Sequence, residues 1–263
     1  MANESEVQVQ DRDGIRRVTL NRPESKNALT LTVNQKLIAA FDEAAKSPTI
    51  RVVVLTGAGG SFCSGLDLKF AAELGLEPEG YGKVLRSHFH GLIRAIQGCM
   101  KPVVAAVDGA AVGYGCDLAL ACDVRLASDR ARLGEVFVKR GLMPDGGGTF
   151  MLPRLVGLGR ALELIFTGDI VDAAEAHRIG LVNRVYPADQ LEAATQKFAL
   201  GLAAGSPLVY ASVKHAVQQA LHSNLDAALD AELAGQVKLL GSADFKEGMV
   251  AFLEKRPPRF QGQ

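Results

Sequence analysis

PVVAAVDGAAVGYGCDLALACD, residues 102–123, sets two kinds of pattern side by side. PVVAAVDG (102–109) is a short β-branched run closed by turn residues, and GCDLALACD (115–123) has the pattern of a helix directly after it. A strand that ends at Asp108 and a helix that begins near Gly113 to Gly115 leave only a glycine-bearing turn between them. Ligands of α/β sheets bind at such C-terminal strand ends. Short strand-to-helix turns need glycine whatever they bind, so tight packing and ligand binding both remain open here.

Outward from this unit the same order recurs. RRVTLN (16–21), RVVVLTG (51–57) and VRLAS (124–128) are further short β-branched runs ended by turn residues. Helical patterns fill the gaps, TVNQKLIAAFDEAAKS (32–47) before the second run and YGKVLRSHFHGLIRAIQG (81–98) before the third. That is an α/β reading. Past residue 150 the pattern is almost wholly helical, with hardly a strand, so a helical C-terminal third is expected to pack on or extend from an α/β core, with a boundary near 200. A second turn, in LTGAGGSFCSGLDLKF (55–70), centres on Ser64, Gly65 and Leu66. Neither turn is followed by Gly-Lys-Ser/Thr or matches the dinucleotide fingerprint.

Composition excludes several classes. With 263 residues, 48% of them hydrophobic, the chain can bury a large core as one domain or as one domain with a small appendage. Lys plus Arg and Asp plus Glu are each 29, which leaves no net field to attract nucleic acid. The start, MANESEVQVQDRDG, is acidic and lacks a cationic segment followed by an apolar run, and nothing approaches the roughly eighteen apolar residues of a membrane span. No membrane partner and a cytoplasmic location are expected. Cys63, Cys99, Cys116 and Cys122 form no Cys-x-x-Cys pair and read as reduced, buried thiols, so no metal site is expected.

GLMPDGGGTF (141–150) places one carboxylate, Asp145, beside three glycines. Bare backbone beside an acid suits a close-fitting ligand. It equally suits a helix cap, because Asp before a helix accepts hydrogen bonds from its free amides. His88 and His90 lie two apart on one helix and so on different faces, which argues against a paired metal site.

Six segments occur together in the order and spacing of one family. NRPESKNAL (21–29), FCSGLDL (62–68), KPVVAAVDGAAVGYGCDLALACD (101–123), PDGGGTFMLPRLVG (144–157), AHRIGLVNRV (176–185) and KEGMVAFLEKRPPRF (246–260) resemble the enoyl-CoA hydratase/isomerase, or crotonase, superfamily over essentially the whole chain. Within it, FVKRGLMPDGGGTFMLPRLVG (137–157) is most similar to the isomerases of aerobic phenylacetate degradation, which turn a ring epoxide of phenylacetyl-CoA into an oxepin. The resemblance implies a ββα spiral core with the acyl-CoA site over residues 1–200 and a helical trimerisation region over 201–263. It implies a homotrimer, or a hexamer as a dimer of trimers. The partner implied is an acyl-CoA thioester, whose coenzyme A is part of the substrate, with no separate cofactor.

The resemblance also implies roles for residues. The backbone amides of Leu66 and Tyr114 would hold the thioester oxygen as an enolate forms. Many relatives have glycine where this chain has Tyr114, whose side chain would then line the acyl pocket. Hydratases of the family use two glutamates, and those positions here are Asp117 and Phe137. Phenylalanine moves no proton, and Glu135, two residues away, is expected to face the opposite side. Asp145 falls where the isomerases carry an aspartate, so it becomes the proposed proton shuttle, raised in proton affinity by burial beside Phe137, Met143 and Phe150. Asp117, in the first turn of a helix, is expected to stay ionised as a cap or orienting group, with direct proton transfer as a lesser alternative. Arg22 and Lys26 would reach CoA phosphates, Ala28, Ser64, Asp67, Leu68 and Phe137 would line the substrate site, and Phe252 and Lys255 would complete a neighbouring subunit's CoA site.

These residues point to an acyl-CoA isomerase that shifts a double bond or rearranges an aromatic-derived ring. Three alternatives stay open. One is an enoyl-CoA hydratase. Another is an aryl-CoA dehalogenase or hydrolase with Asp145 as nucleophile and His90 as its histidine, a position otherwise read as an ordinary half-buried helix residue. The third is a non-catalytic acyl-CoA-binding protein.

Overall fold

The computed structural model describes residues 5–67, 69, 70, 72 and 77–263. Strands β1 (Val7–Arg12) and β2 (Ile15–Leu20) form a hairpin closed by Asp13-Gly14, with φ of 53° and 76°. Both turn residues are left-handed, which is what a two-residue hairpin asks of an Asp-Gly pair. Helix α1 (Leu31–Lys46) is capped by Thr30, whose side chain accepts from the Val33 amide, and it leads to β3 (Val52–Gly57), parallel to β2. Helix α2 (Pro78–Val84) runs through a π-helical turn at Leu85–Phe89 into α3 (His90–Gly98). Then come β4 (Val103–Val107), β5 (Ala110–Val112), α4 (Tyr114–Ala121), β6 (Val124–Ser128) and β7 (Arg132–Gly134). A 3-10 turn at Val136–Arg140 precedes α5 (Gly148–Val156), α6 (Leu158–Thr167), β8 (Val171–Asp172), α7 (Ala173–Arg178) and β9 (Arg184–Tyr186). Four helices complete the chain: α8 (Leu191–Ala203), α9 (Pro207–Ala220), α10 (Leu225–Leu240) and α11 (Ala243–Leu253).

The main sheet has the order β1-β2-β3-β4-β6-β9, antiparallel only at β1-β2, and a second sheet has the order β5-β7-β8. Strands β3 and β4 are buried on both faces, so they read as unbroken apolar runs rather than alternations. Val53, Leu55, Val103 and Ala105 join the core with Phe41, Leu92 and Leu118, while Val52, Val54, Val104 and Ala106 meet Leu191 and Ala199 of α8. Every residue of α4 is buried, which explains its lack of a polar face. Bridges Cys63↔Ala111 and Leu29↔Leu66 tie the turn at 63–66 to β5 and to the segment before α1.

The α/β class is as expected, and the structure adds strands that the sequence reading did not name. The acidic start of the chain contains the edge strand β1, and the region past residue 150 supplies β9 as well as β8. Strand β9 pairs with β6 over only three residues, too few to show a period. All four cysteines are free and buried. Among the described residues, no helix is long and apolar enough to cross a membrane.

Candidate active site at the ends of β3 and β5

Two turns are locked together by close backbone contact. A methyl group on Gly115 would lie 2.1 Å from the Cys63 carbonyl oxygen, and one on Gly65 (φ 89°) would lie 3.2 Å from the Tyr114 nitrogen. Only glycine permits both approaches. The turn at residues 63–66 therefore sits directly against the start of α4. As first residue of that helix, Tyr114 has an N–H with no acceptor in its own helix. The bridge to Leu29 uses the Gly65 carbonyl and the Asp67 amide, which turns the Leu66 N–H away from that strand. Leu66 and Tyr114 both line a cavity of about 100 Å³.

Ser64, Phe137 and Asp145 line the same cavity, with Tyr81 and Phe89 entering from α2 and the π-helical turn. Among the described residues, Asp145 is the one carboxylate that lines it. Burial raises its proton affinity above that of an ordinary aspartate, while the Tyr81 hydroxyl and His90 pull the other way. Tyr81 donates to Asp145 Oδ2 at 3.4 Å, and burial next to that carboxylate pushes its own phenol up to about 12. His90 Nε2 lies 3.0 Å from the backbone oxygen of Asp145, so this histidine braces the Asp145 backbone without lining the cavity. His88 instead meets Gln35 and Ser87 on the other side. The burial expected from Met143 and Phe150 is not what surrounds Asp145. Met143 is 68% exposed, and Phe150 stacks on His222 and under Arg154.

Asp117 lies one layer deeper and is fully buried, without lining the cavity. Its Oδ2 accepts from the Gly146 N–H at 3.0 Å, so it holds the Asp145 loop rather than capping its own helix. The expectation that helix position keeps it ionised fails: burial, then the charges of Glu135 and Asp145, push its carboxyl well above the ordinary range. Glu135 does face away from the cavity that Phe137 lines, but through a turn and not an extended chain, in which residues two apart would share a face. Strand β7 ends at Gly134, and the tight turn that follows leaves Phe137 on the cavity while Glu135, 1% exposed, points toward Asp117. Burial raises the Glu135 carboxyl to about 8, with the nearby Cys116 thiol opposing this and the charge on Asp145 adding to it.

Tyr114 is almost wholly buried. Its hydroxyl donates to the Phe89 carbonyl at 2.6 Å, and its ring meets the Phe89 ring edge-on at 5.0 Å. The π-helical turn thus gains a fixed partner in Tyr114. Around the cavity, Ser64 Oγ donates to the Ser25 carbonyl, and Ala28 is buried. The Arg22 guanidinium donates to the Ala28 carbonyl at 2.7 Å and to Asp67 Oδ2 at 3.1 Å, so it is held by protein groups instead of standing as a free cation. Burial works against the Asp67 charge, but the Phe70 amide and then Arg22 outweigh it and hold that carboxyl below its usual range. Lys26 is exposed in a left-handed conformation (φ 52°). Leu68 lies outside the described residues. Phe252, 79% exposed, and Lys255 stand away from the cavity of their own chain.

Comparisons with known proteins match nearly the whole chain. The family model described as enoyl-CoA hydratase/isomerase matches residues 10–263. A relative from Rhodobacter capsulatus, named probable enoyl-CoA hydratase, is 43% identical over 255 residues, 95% of this chain and 96% of that protein. The 1,2-epoxyphenylacetyl-CoA isomerase of Escherichia coli is 36% identical over 254 residues, again 95% of this chain and 96% of that protein. Among solved structures, an enoyl-CoA hydratase from Bacillus anthracis has a TM-score of 0.95 at 34% identity, covering 98% of this chain and 100% of that one. A fold, a cavity and a match that run the length of the chain lead to one conclusion: it belongs to the enoyl-CoA hydratase/isomerase, or crotonase, superfamily.

Proposed function

We propose that the protein is an acyl-CoA isomerase that works through an enolate, with Asp145 as its single proton shuttle. The observation that carries this reading is that, among the described residues, Asp145 alone of those lining the cavity has a carboxylate; the resemblance puts Phe137 where hydratases have their second acid. The amides of Leu66 and Tyr114 would receive the thioester oxygen, and each such donor is worth on the order of 3 kcal/mol in the transition state. Asp145 then takes a proton from one carbon and returns it to another while the two amides hold the charge between the steps. A carboxyl with raised proton affinity does both more readily near neutral pH. Ser64, Phe137 and Tyr114 would surround the acyl group, with Ala28, Asp67 and Leu68 toward the thioester. Lys26 would meet a CoA phosphate, with Arg22 ordering the segment through Asp67. Coenzyme A belongs to the substrate, and no further cofactor is called for.

The second reading is hydration, which the name of the Rhodobacter capsulatus relative favours. It needs a second acid in contact with substrate, and neither Asp117 nor Glu135 lines the cavity. A panel of acyl-CoAs incubated in heavy water and read by mass spectrometry separates the two. Deuterium uptake without gain of water is expected. Addition of water would establish the hydratase, loss of halide from a haloaryl-CoA would establish Asp145 as a nucleophile, and binding with no exchange at all would leave a non-catalytic protein.

A further inference from the structure

Behind the cavity wall lie two carboxyl groups that the proposed reaction does not use. Asp117 arrives from α4 and Glu135 from the end of β7, and both aim at the start of α5. A methyl group placed on Gly148 would lie 2.5 Å from Asp117 Oδ1 and 3.1 Å from Glu135 Oε1, so the two carboxyl ends face one point and a side chain at 148 would displace them. Asp117 Oδ1 and both oxygens of Glu135 are buried without a hydrogen-bond partner. The groups facing them are the Cys116 thiol on α4, the amides of Gly146 and Gly148, and the Asp145 carboxylate on the intervening loop. The thiol is a weak donor and completes no hydrogen bond of normal geometry. Neither carboxyl has an ion-pair partner among the described residues.

Two adjacent buried carboxylates without a cation cannot both hold charge, for the reason that like charges in a shared site push one proton affinity far up. We propose that Asp117 and Glu135 form a proton-holding pair that positions the Asp145 loop, and that ionisation of Glu135 sets the alkaline limit of the enzyme. While the pair is neutral, Asp117 Oδ2 accepts from Gly146, next to Asp145, and keeps that loop against the cavity. When Glu135 loses its proton, a second negative charge appears behind the site where the enolate must form, and it opposes that enolate. Glu135 is therefore a positioning residue that acts through Asp117 and Asp145 without touching substrate. The effect on rate rests on the reading of Asp145 as the base, whereas the pair itself does not.

The test is Glu135→Gln, followed by the α-proton exchange of phenylacetyl-CoA in heavy water across pH, beside thermal unfolding of both proteins. The wild type is expected to lose exchange activity with a midpoint near 8, where Glu135 ionises. The variant should keep its rate within a few-fold at neutral pH and show no such limb up to about pH 9.5. The same factor of loss at every pH would mean a purely structural role and would overturn the proposal.

Stability supplies a measurement independent of catalysis. A carboxyl raised in the folded state stabilises below its unfolded pKa, and that contribution is lost as pH rises through the folded value, from about 4.5 to about 8. Wild type should lose melting temperature across this window, and Glu135→Gln should be flatter; equal slopes would contradict the pair. Should the variant fail to fold, difference infrared spectra of the wild type decide the matter. Loss of a protonated carboxyl band between about pH 6 and 9 is expected, and its absence overturns the proposal. Full exchange in Asp145→Asn with the infrared change intact would instead remove the base reading and leave the pair standing.

Discussion

Asp145 illustrates how little of a site is local. Its own decapeptide left cap and catalysis open, and the features that give it a chemical environment, Tyr81 and His90, come from 64 and 55 residues away. No spacing rule links them. The Tyr81 hydroxyl favours the ionised carboxylate by donating to it, so its removal should raise the proton affinity of Asp145. In Tyr81→Phe the acid limb of kcat/KM is therefore expected to move to higher pH by about half a unit to one unit, since the bond is long and the contribution correspondingly modest. An unmoved limb would mean that the hydroxyl does not bear on the base. Glu135 shows the same dependence on context. An extended chain would put Glu135 and Phe137, two residues apart, on one face, and it is the 3-10 turn there that parts them.

At the scale of elements, the contact between the 63–66 turn and α4 decides whether two amides share one cavity. Gly115 is the crux, because any side chain there meets the Cys63 carbonyl, a backbone atom that cannot swing aside. Gly115→Ala is expected to cost about 2–3 kcal/mol by chemical denaturation and to lower exchange activity further than that loss of fold explains, by parting the amides of Leu66 and Tyr114. Wild-type stability and rate in this variant would show that the turns can separate without consequence. These elements were legible in the sequence: the strands at 52–57, 103–107 and 124–128 and the helices at 31–46 and 114–121 fall within one or two residues of their patterns. Strand β1 was missed although its Asp13-Gly14 turn was a usable hairpin signal. Strand β9 offered none, being three residues whose place is set by pairing with β6. Nor could periodicity show that α4 and β7 bring two acids together at Gly148, because that meeting depends on how distant segments pack.

For the whole molecule, the helical end of the chain leaves a large apolar surface in water. Leu225, Leu229, Leu233 and Val237 of α10 are 72%, 52%, 65% and 62% exposed, a continuous stripe at helical spacing that a lone chain has no reason to keep. We propose that residues 201–263 form an oligomerisation region on a core of residues 1–200, that the assembly is a trimer or a pair of trimers, and that Phe252 and Lys255 reach a neighbour's CoA site. Light scattering at micromolar concentration is expected to give three or six times the mass of 27.8 kDa, and a monomer would contradict it. All of this frames the central claim, that one carboxylate makes and unmakes an enolate in the cavity. The most direct measurement is the α-proton exchange of phenylacetyl-CoA in heavy water by Asp145→Asn, with thermal unfolding and thioester binding recorded on the same protein. The amide keeps the shape and most of the hydrogen bonding but accepts no proton, so the account expects unchanged folding and binding with exchange reduced by roughly a hundredfold or more; exchange at the wild-type rate would contradict it.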